Sequence, residues 1–291
     1  MSSRFFESSD HTKLYQQYRA QPPQELIERI LEYLRSKYTG ELELALDVGC
    51  GSGQNTFSFA EHFKNVVGTD ISPNQIAIAA DVSSQMSLKN VRFEVSPAEE
   101  INLETSSVQL ITAAEAAHWF NLPKFFQEGL RVLCPGGVMA IYGYVFADLI
   151  WERNPDKNDA LAEYYKSVNI GEPLSNYWPP NNTNILFKRY SNIEIPYSDF
   201  TREDFKYNKV RYLKLSSFFG EIRTWSGFQR FCEVNGNEAG EDVINDFRKR
   251  LLDIIGEDLD LEEQKAPDDV VIKAVTPFFL LLARKSFEEN Q

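Results

Sequence analysis

Cysteine is scarce in this chain: Cys50, Cys134 and Cys232 are scattered, odd in number and without paired spacing. That excludes a disulfide framework and a thiolate metal site, and it suits a reducing compartment. Histidine is as rare, and His11, His62 and His118 share no ligand spacing, so no metal centre is expected. Positive charge is also short. The 30 Lys and Arg residues face 43 Asp and Glu, for a net charge of −13. That argues against nucleic acid as a partner, whose phosphates demand clustered cations, and it disfavours an anionic membrane surface. No stretch approaches about 18 apolar residues, and the N-terminal residues carry no long apolar segment. Neither a membrane span nor a secretory leader is expected, which reads as a cytoplasmic protein.

What is present is a globular composition, 43% hydrophobic and 25% charged, over a length that allows one α/β domain with insertions. One stretch stands out. Leu44-Ala45-Leu46-Asp47-Val48-Gly49-Cys50-Gly51-Ser52-Gly53 is an apolar run ending in an acid and then in three alternate glycines. A helical pattern through Thr56, Phe57, Phe59, Ala60 and Phe63 follows. A buried parallel strand is therefore expected to turn sharply into a helix over 54–63. The glycines permit positive φ and close approach of a ligand to the main chain, and a helix start offers unpaired N–H groups. A second apolar run, Val66-Val67-Gly68-Thr69-Asp70, ends in a carboxylate 17 residues after Gly53. A carboxylate there suits the two hydroxyls of a ribose. The two signals together describe a nucleotide-type cofactor site. Its G-x-G-x-G spacing is not the G-x-G-x-x-G of dinucleotide binders, which disfavours a nicotinamide dehydrogenase, and no Lys-Ser or Lys-Thr follows to make a phosphate-binding loop. Cys50 reads as a small side chain packed under the cofactor.

Along the chain, residues 11 to 38 read as helices, with Leu26, Ile27, Ile30, Leu31 and Leu34 at helical spacing. Strands are expected near 44–49, 65–70, 91–95, 108–114 and 137–143, and helices over 73–80 and 122–133. Pro73 after Ser72 marks a helix start. Such alternation predicts a doubly wound, mostly parallel sheet with helices on both faces. Ligands in such sheets sit at the carboxyl ends of strands, where Asp47–Gly53, Asp70, Ala98 and Glu115–Trp119 all fall. After Tyr144 the texture turns to Asn, Pro and aromatics, which suggests a lid. Residues 193–196 are expected as a sixth strand, 203–260 as cap helices and 276–284 as a final strand.

These motifs resemble the class I S-adenosylmethionine-dependent methyltransferases, of the methyltransferase type 11 kind. Ser96-Pro97-Ala98-Glu99, Leu110-Ile111-Thr112-Ala113-Ala114-Glu115 and Arg131-Val132-Leu133-Cys134-Pro135-Gly136-Gly137 continue the likeness in order. The resemblance implies a seven-stranded Rossmann-like sheet whose last strand is antiparallel, with S-adenosyl-L-methionine as cofactor. It implies three parts of one structural domain: an N-terminal helical segment over the crevice (1–40), a cofactor-binding core (41–144), and cap insertions with the final strands (145–291). It further implies that Gly49, Gly51 and Gly53 face the methionine portion while Asp47 orients its amino group. Asp70 would take the ribose, Ile71 the adenine face, Ala98 and Glu99 the adenine edge, and Glu115 would lie beside the methionine end. Ala116-Ala117-His118-Trp119-Phe120, Tyr177-Trp178, Arg223-Thr224-Trp225-Ser226 and a segment from Tyr15 through Arg19 to Pro23 resemble more narrowly the trans-aconitate methyltransferase branch. In that segment Ala20 and Pro22 depart from the branch's proline and tyrosine.

The acceptor implied is a small molecule, handled by a monomer or homodimer. A carboxylate nucleophile needs no base but needs cations, for which Arg19 and Arg223 are the candidates. A phenol, thiol or amine is helped by a base, for which His118 is the candidate; a fixed hydrogen-bonding role for His118 stays open. A silent cofactor-binding protein of the same fold is the remaining alternative. The Asn/Asp-Pro-Pro-Tyr signature of amide and adenine N-methyltransferases is absent, since the position reads Ala114-Glu115-Ala116-Ala117-His118.

Overall fold

A computed structural model of the protein describes residues 20–287. Its centre is a sheet of eight strands. Strands β1 (Leu44–Val48), β2 (Asn65–Asp70), β3 (Val91–Val95), β4 (Val108–Ala114) and β5 (Leu133–Tyr144) are parallel, in the spatial order 3-2-1-4-5. Strand β8 (Val271–Arg284) runs antiparallel to β5. The three-residue β6 (Asp148–Ile150) prolongs the β5 side of β8, and β7 (Ser198–Lys214) pairs along its other edge. The strand order reverses between β1 and β4, which opens a crevice at their carboxyl ends.

The period-2 pattern of the central strands divides the core. On β5, Val138, Ala140, Tyr142 and Tyr144 join one cluster with Phe278, Leu280 and Leu282 of β8. Helix α1 (Gln24–Arg35) covers that face with Leu26, Ile27, Ile30 and Leu34. Met139 and Ile141 point the other way, with Phe279, Leu281 and Ala283, and meet Phe125, Phe126 and Val132 of α3 (Leu122–Val132). Between them in sequence, α2 (Pro73–Gln85) starts at Ser72, whose hydroxyl accepts from the Gln75 N–H. A third core gathers α4 (Asn158–Ile170), α5 (Leu215–Arg223), α6 (Ser226–Asn235) and α7 (Asn237–Ile255) around Trp151, Phe219, Trp225 and Phe247. Among the described residues no helix is long and apolar enough to cross a membrane.

Arg284, the last residue of β8, is buried and staples α1 to the sheet. Its guanidinium donates to the carbonyls of Tyr33, Leu34 (3.3 Å) and Gly136 (2.7 Å) and lies over the Tyr33 ring. Arg284→Met keeps the aliphatic stem but removes the donor to the Gly136 carbonyl and unties the end of α1, whose Tyr33 and Leu34 carbonyls keep the Ser36 hydroxyl and the Tyr38 N–H; it is expected to cost about 1–3 kcal/mol in urea unfolding.

Three expectations are corrected. The segment expected as a helix over 54–63 forms only a 3₁₀ turn at Thr56–Phe59. Asn55 and Thr56 turn their side chains back to Asp47 instead of out to solvent, the local bonding by which Asn and Thr compete with helix. The stretch 193–196 is not a strand; the sheet resumes at Ser198. The residues 203–214, expected as helix, belong to β7. Among the described residues that strand pairs on one side only, and it mixes Lys, Arg and Asp with aromatics, so it lacks an apolar run. Bulges between Ser198 and Thr201 and between Asp204 and Tyr207 break its period further. The expected helices over 11–19 lie outside the described residues.

Candidate active site

The glycine loop leaves β1 with Gly49, Gly51 and Gly53 all at positive φ. At Gly49 (φ +70°) an added Cβ would stand 2.5 Å from that of Ala116, so glycine is required on two counts. The loop is tied to β2 from both sides. Gly49 and Cys50 donate their N–H groups to the Thr69 carbonyl (2.7 and 2.9 Å). Asp70 Oδ2 accepts from the Gly51 N–H (2.9 Å), and Oδ1 from the Ser72 N–H (2.8 Å). Burial holds the Asp70 carboxyl above its usual range, against the pull of those backbone donors. Next to it, Ile71 is 75% exposed, an unusual placement for a large apolar side chain. Ala98 is buried beyond β3, and Glu99 accepts from the Asn121 N–H (2.6 Å).

Asp47 lies beneath this loop, 1% exposed. Its carboxylate accepts from Asn55 Nδ2 (2.8 Å), Thr112 Oγ1 (2.7 Å) and Thr56 Oγ1 (2.7 Å), while the Tyr142 hydroxyl donates to the Asn55 amide oxygen. Burial outweighs the three hydrogen bonds and pushes the Asp47 carboxyl up to about 6. Asn55, Thr56, Thr112 and Tyr142 were not singled out from sequence, although an acid inside an apolar strand implies buried donors around it. Cys50 is buried too; desolvation and the nearby Asp47 and Asp70 push its thiol well up, which removes it as a nucleophile.

Beyond β4 the chain turns through Glu115 at φ +54°. The Glu115 carboxylate accepts from the Tyr144 N–H (2.5 Å) and lies where a side chain at residue 143 would be, so Gly143 admits it. Glu115 and His118 border a cavity of about 40 Å³ with Asn182 and Ser226. Its walls are Trp119, Phe146, Trp178, Phe187 and Trp225, packed ring against ring; Trp178 stands 4.9 Å from Phe187 and 5.8 Å from Trp225. The Asn182 amide oxygen is buried with no partner among the described residues. His118 is buried, with Nδ1 2.7 Å from the Tyr190 hydroxyl. A wider groove of about 410 Å³, bordered by Gln54, Phe57 and Met86, carries no titratable side chain among the described residues. Of the two arginine candidates only Arg223 is among the described residues. Arg223 gives its guanidinium bidentately to Glu241 (2.9 and 2.6 Å) and does not line the cavity. Arg19 lies outside the described residues. Among the described residues no three His, Cys, Asp or Glu are grouped to hold a metal ion.

Comparison with known proteins places this geometry. Residues 46–141 match a family model described as a methyltransferase domain. A Dictyostelium discoideum protein named as a methyltransferase is 31% identical over 243 residues, 84% of this chain and 82% of its own. A Saccharomyces cerevisiae protein named as an S-adenosylmethionine-dependent methyltransferase is 26% identical over 271 residues, covering 86% and 88%. In fold, the chain is similar to the structure of a type II methyltransferase from Anaeromyxobacter dehalogenans, with a TM-score of 0.68 and 24% identity over 92% of this chain and 98% of that one. Likeness that runs along most of both chains and centres on the loop at the sheet's switch point settles the kinship: this chain belongs to the class I S-adenosylmethionine-dependent methyltransferase family and is an enzyme with S-adenosyl-L-methionine as its cofactor.

Proposed function

We propose that this enzyme methylates a small molecule with an apolar, neutral or cationic body and an uncharged nucleophile, an O–H, N–H or S–H group handled by His118. The observation that carries this reading is the lining of the cavity beyond β4. It has five aromatic walls and one carboxylate, with no Lys or Arg among the described lining residues. Aromatic faces suit a flat or cationic body, and the buried, unpartnered Asn182 oxygen suits a hydrogen-bond donor on it. A net charge of −13 adds a field that favours neutral or cationic substrates over anions. The carboxylic-acid acceptor of the trans-aconitate branch draws less support, because Arg223 is already paired with Glu241.

The residues around the loop fit the cofactor. Gly49, Gly51 and Gly53 present main chain without side chains. With the Gly51, Ser72 and Ile71 N–H groups as backbone donors, the Asp70 carboxylate keeps about one of its four acceptor sites for a ribose hydroxyl. The exposed Ile71 offers an apolar face to the adenine, with Ala98 and Glu99 at its edge and Glu115 toward the methionine end. Asp47 acts from underneath, holding Asn55 and Thr56 so that the loop keeps its shape. The helices of residues 145–270 form the cap that keeps water from the acceptor. When bound, S-adenosyl-L-methionine supplies an electrophilic methyl group and keeps the electron pair of the broken carbon–sulfur bond. His118 takes the proton that the acceptor loses. The aromatic walls must give way to admit an acceptor, since about 40 Å³ is little more than the room of one water.

The test is methyl transfer from radiolabelled cofactor to matched panels of phenols, amines, thiols and small carboxylic acids. Turnover is expected in the first three panels, and His118→Gln should lower kcat about hundredfold or more while leaving cofactor affinity intact. Turnover confined to carboxylic acids, untouched by His118→Gln, would overturn this reading and restore the ester-forming one.

A further inference from the structure

His118 does not stand alone. Its Nδ1 meets the hydroxyl of Tyr190, which is fully buried, and Tyr190 comes from a segment more than 70 residues away. That segment is strained. Arg189 and Tyr190 are consecutive non-glycine residues at φ +51° and +55°, a conformation side chains rarely adopt. It follows the π-helical turn Asn182–Leu186 that supplies one side of the cavity. Both strained carbonyls are held by one guanidinium. Arg202 of β7 donates Nη1 to the Tyr190 carbonyl (3.1 Å) and Nη2 to that of Arg189, and is itself fixed by Asp204 (2.8 Å). The Tyr190 ring packs edge-on against Phe279 at 4.9 Å. Backbone strain of this kind persists where surroundings over-determine it, and it clusters where a side chain must be aimed.

We propose that Tyr190 is a positioning residue that fixes the imidazole of His118 through Nδ1, so that proton exchange with the acceptor goes through Nε2. The inference rests on the reading of His118 given above. This role requires Nδ1–H to donate to the Tyr190 oxygen across the 2.7 Å contact, which leaves the lone pair on Nε2, the tautomer that can accept a proton there. When the acceptor's proton arrives at Nε2, both ring nitrogens carry hydrogen and the Nδ1–H···Oη bond persists. A phenol in this place orients the ring without adding a negative charge, unlike a carboxylate partner. The strained turn clamped by Arg202 keeps the phenol where the ring needs it.

Tyr190→Phe retains the packing on Phe279 and removes only the hydroxyl. It is expected to lower kcat roughly ten- to hundredfold for the most active phenol or amine of the panels, with KM and cofactor affinity unchanged. In the His118→Gln background the same substitution should have no further effect, because it acts through the ring that is gone. A second readout needs no acceptor. The chain has three histidines, so subtracting the His118→Gln spectrum assigns the imidazole ¹⁵N shifts of His118 in the folded protein. They should show the Nδ1–H tautomer in the wild type and a shift toward Nε2–H in Tyr190→Phe. An unchanged tautomer, or additive losses in the double variant, would overturn the positioning role. Failure of His118→Gln itself to alter turnover would instead overturn the reading on which it rests.

Discussion

Asp70→Ala is expected to weaken binding of S-adenosyl-L-methionine by about 1.5–3 kcal/mol, roughly ten- to 150-fold in Kd by calorimetry. Two losses combine in this one change. The proposed hydrogen bond to the ribose disappears, and so do the carboxylate's bonds to the Gly51 and Ser72 N–H groups, which join the glycine loop to the start of α2. Asp70→Asn separates them. Its amide oxygen can still accept one backbone N–H, so the loop should hold better while the charge-assisted part of ribose binding is lost. An Asp70→Ala protein that melts like the wild type and binds the cofactor equally well would remove Asp70 from the site.

Asp47 carries a large pH effect on the acid side of neutrality. Its folded-state carboxyl titrates at about 6 against a reference of 3.8, so the native state binds this proton more tightly than the unfolded chain does. Stability from this group is therefore fully present below about pH 4 and is lost as pH rises through 6. The difference amounts to about 3 kcal/mol. Measured by urea unfolding, wild-type stability minus that of Asp47→Asn should rise by most of this amount, about 2.5 kcal/mol, from pH 7 to pH 4. Taking the difference cancels the opposite trend of paired surface carboxylates such as Glu128 and Glu241, which Arg131 and Arg223 hold below their usual range. A difference that stays flat across that window would mean that the Asn55, Thr56 and Thr112 donors hold the carboxylate ionised throughout.

How legible the molecule was in its sequence depended on what each segment buries. Strands β1, β2 and β4 are apolar runs largely buried in the sheet, β3 alternates Val91, Phe93 and Val95 with Arg92 and Glu94, and the limits of all four match the expected ones within a residue or two. Strand β5 begins four residues before its expected start, because Leu133 and Cys134 continue straight out of α3 without a loop. Strand β7 was invisible, since its two bulges break the period-2 pattern and Lys, Arg, Asp and Glu interrupt its apolar residues. The same contrast divides the site. Glycines and Asp70 announced themselves by spacing, which local backbone geometry dictates. Tyr190, Asn55 and Tyr142 act across 72, 8 and 87 positions from their partners His118, Asp47 and Asn55, and no local pattern encodes such meetings. Arg223 failed as a cavity residue for a related reason: Glu241, on the next helix but one, claims its guanidinium.

Strand β8 has a consequence for how the chain is made. It lies between β5 and β7, pairing with β5 over its C-terminal half and with β7 along nearly all of its length, although it is the last described strand in sequence. During synthesis the chain emerges from its N-terminal end at about 5–20 residues per second. The four parallel strands nearest the cofactor can assemble early, but β5 and β7 are left with open edges until residue 284 has left the ribosome. For that interval of several seconds, roughly 140 residues' worth of translation after β5, the nascent protein exposes the unpaired margin of β5. The apolar stretch Phe278–Ala283 thus works as a closing strip, and shielding of the nascent chain by a chaperone matters most before it arrives.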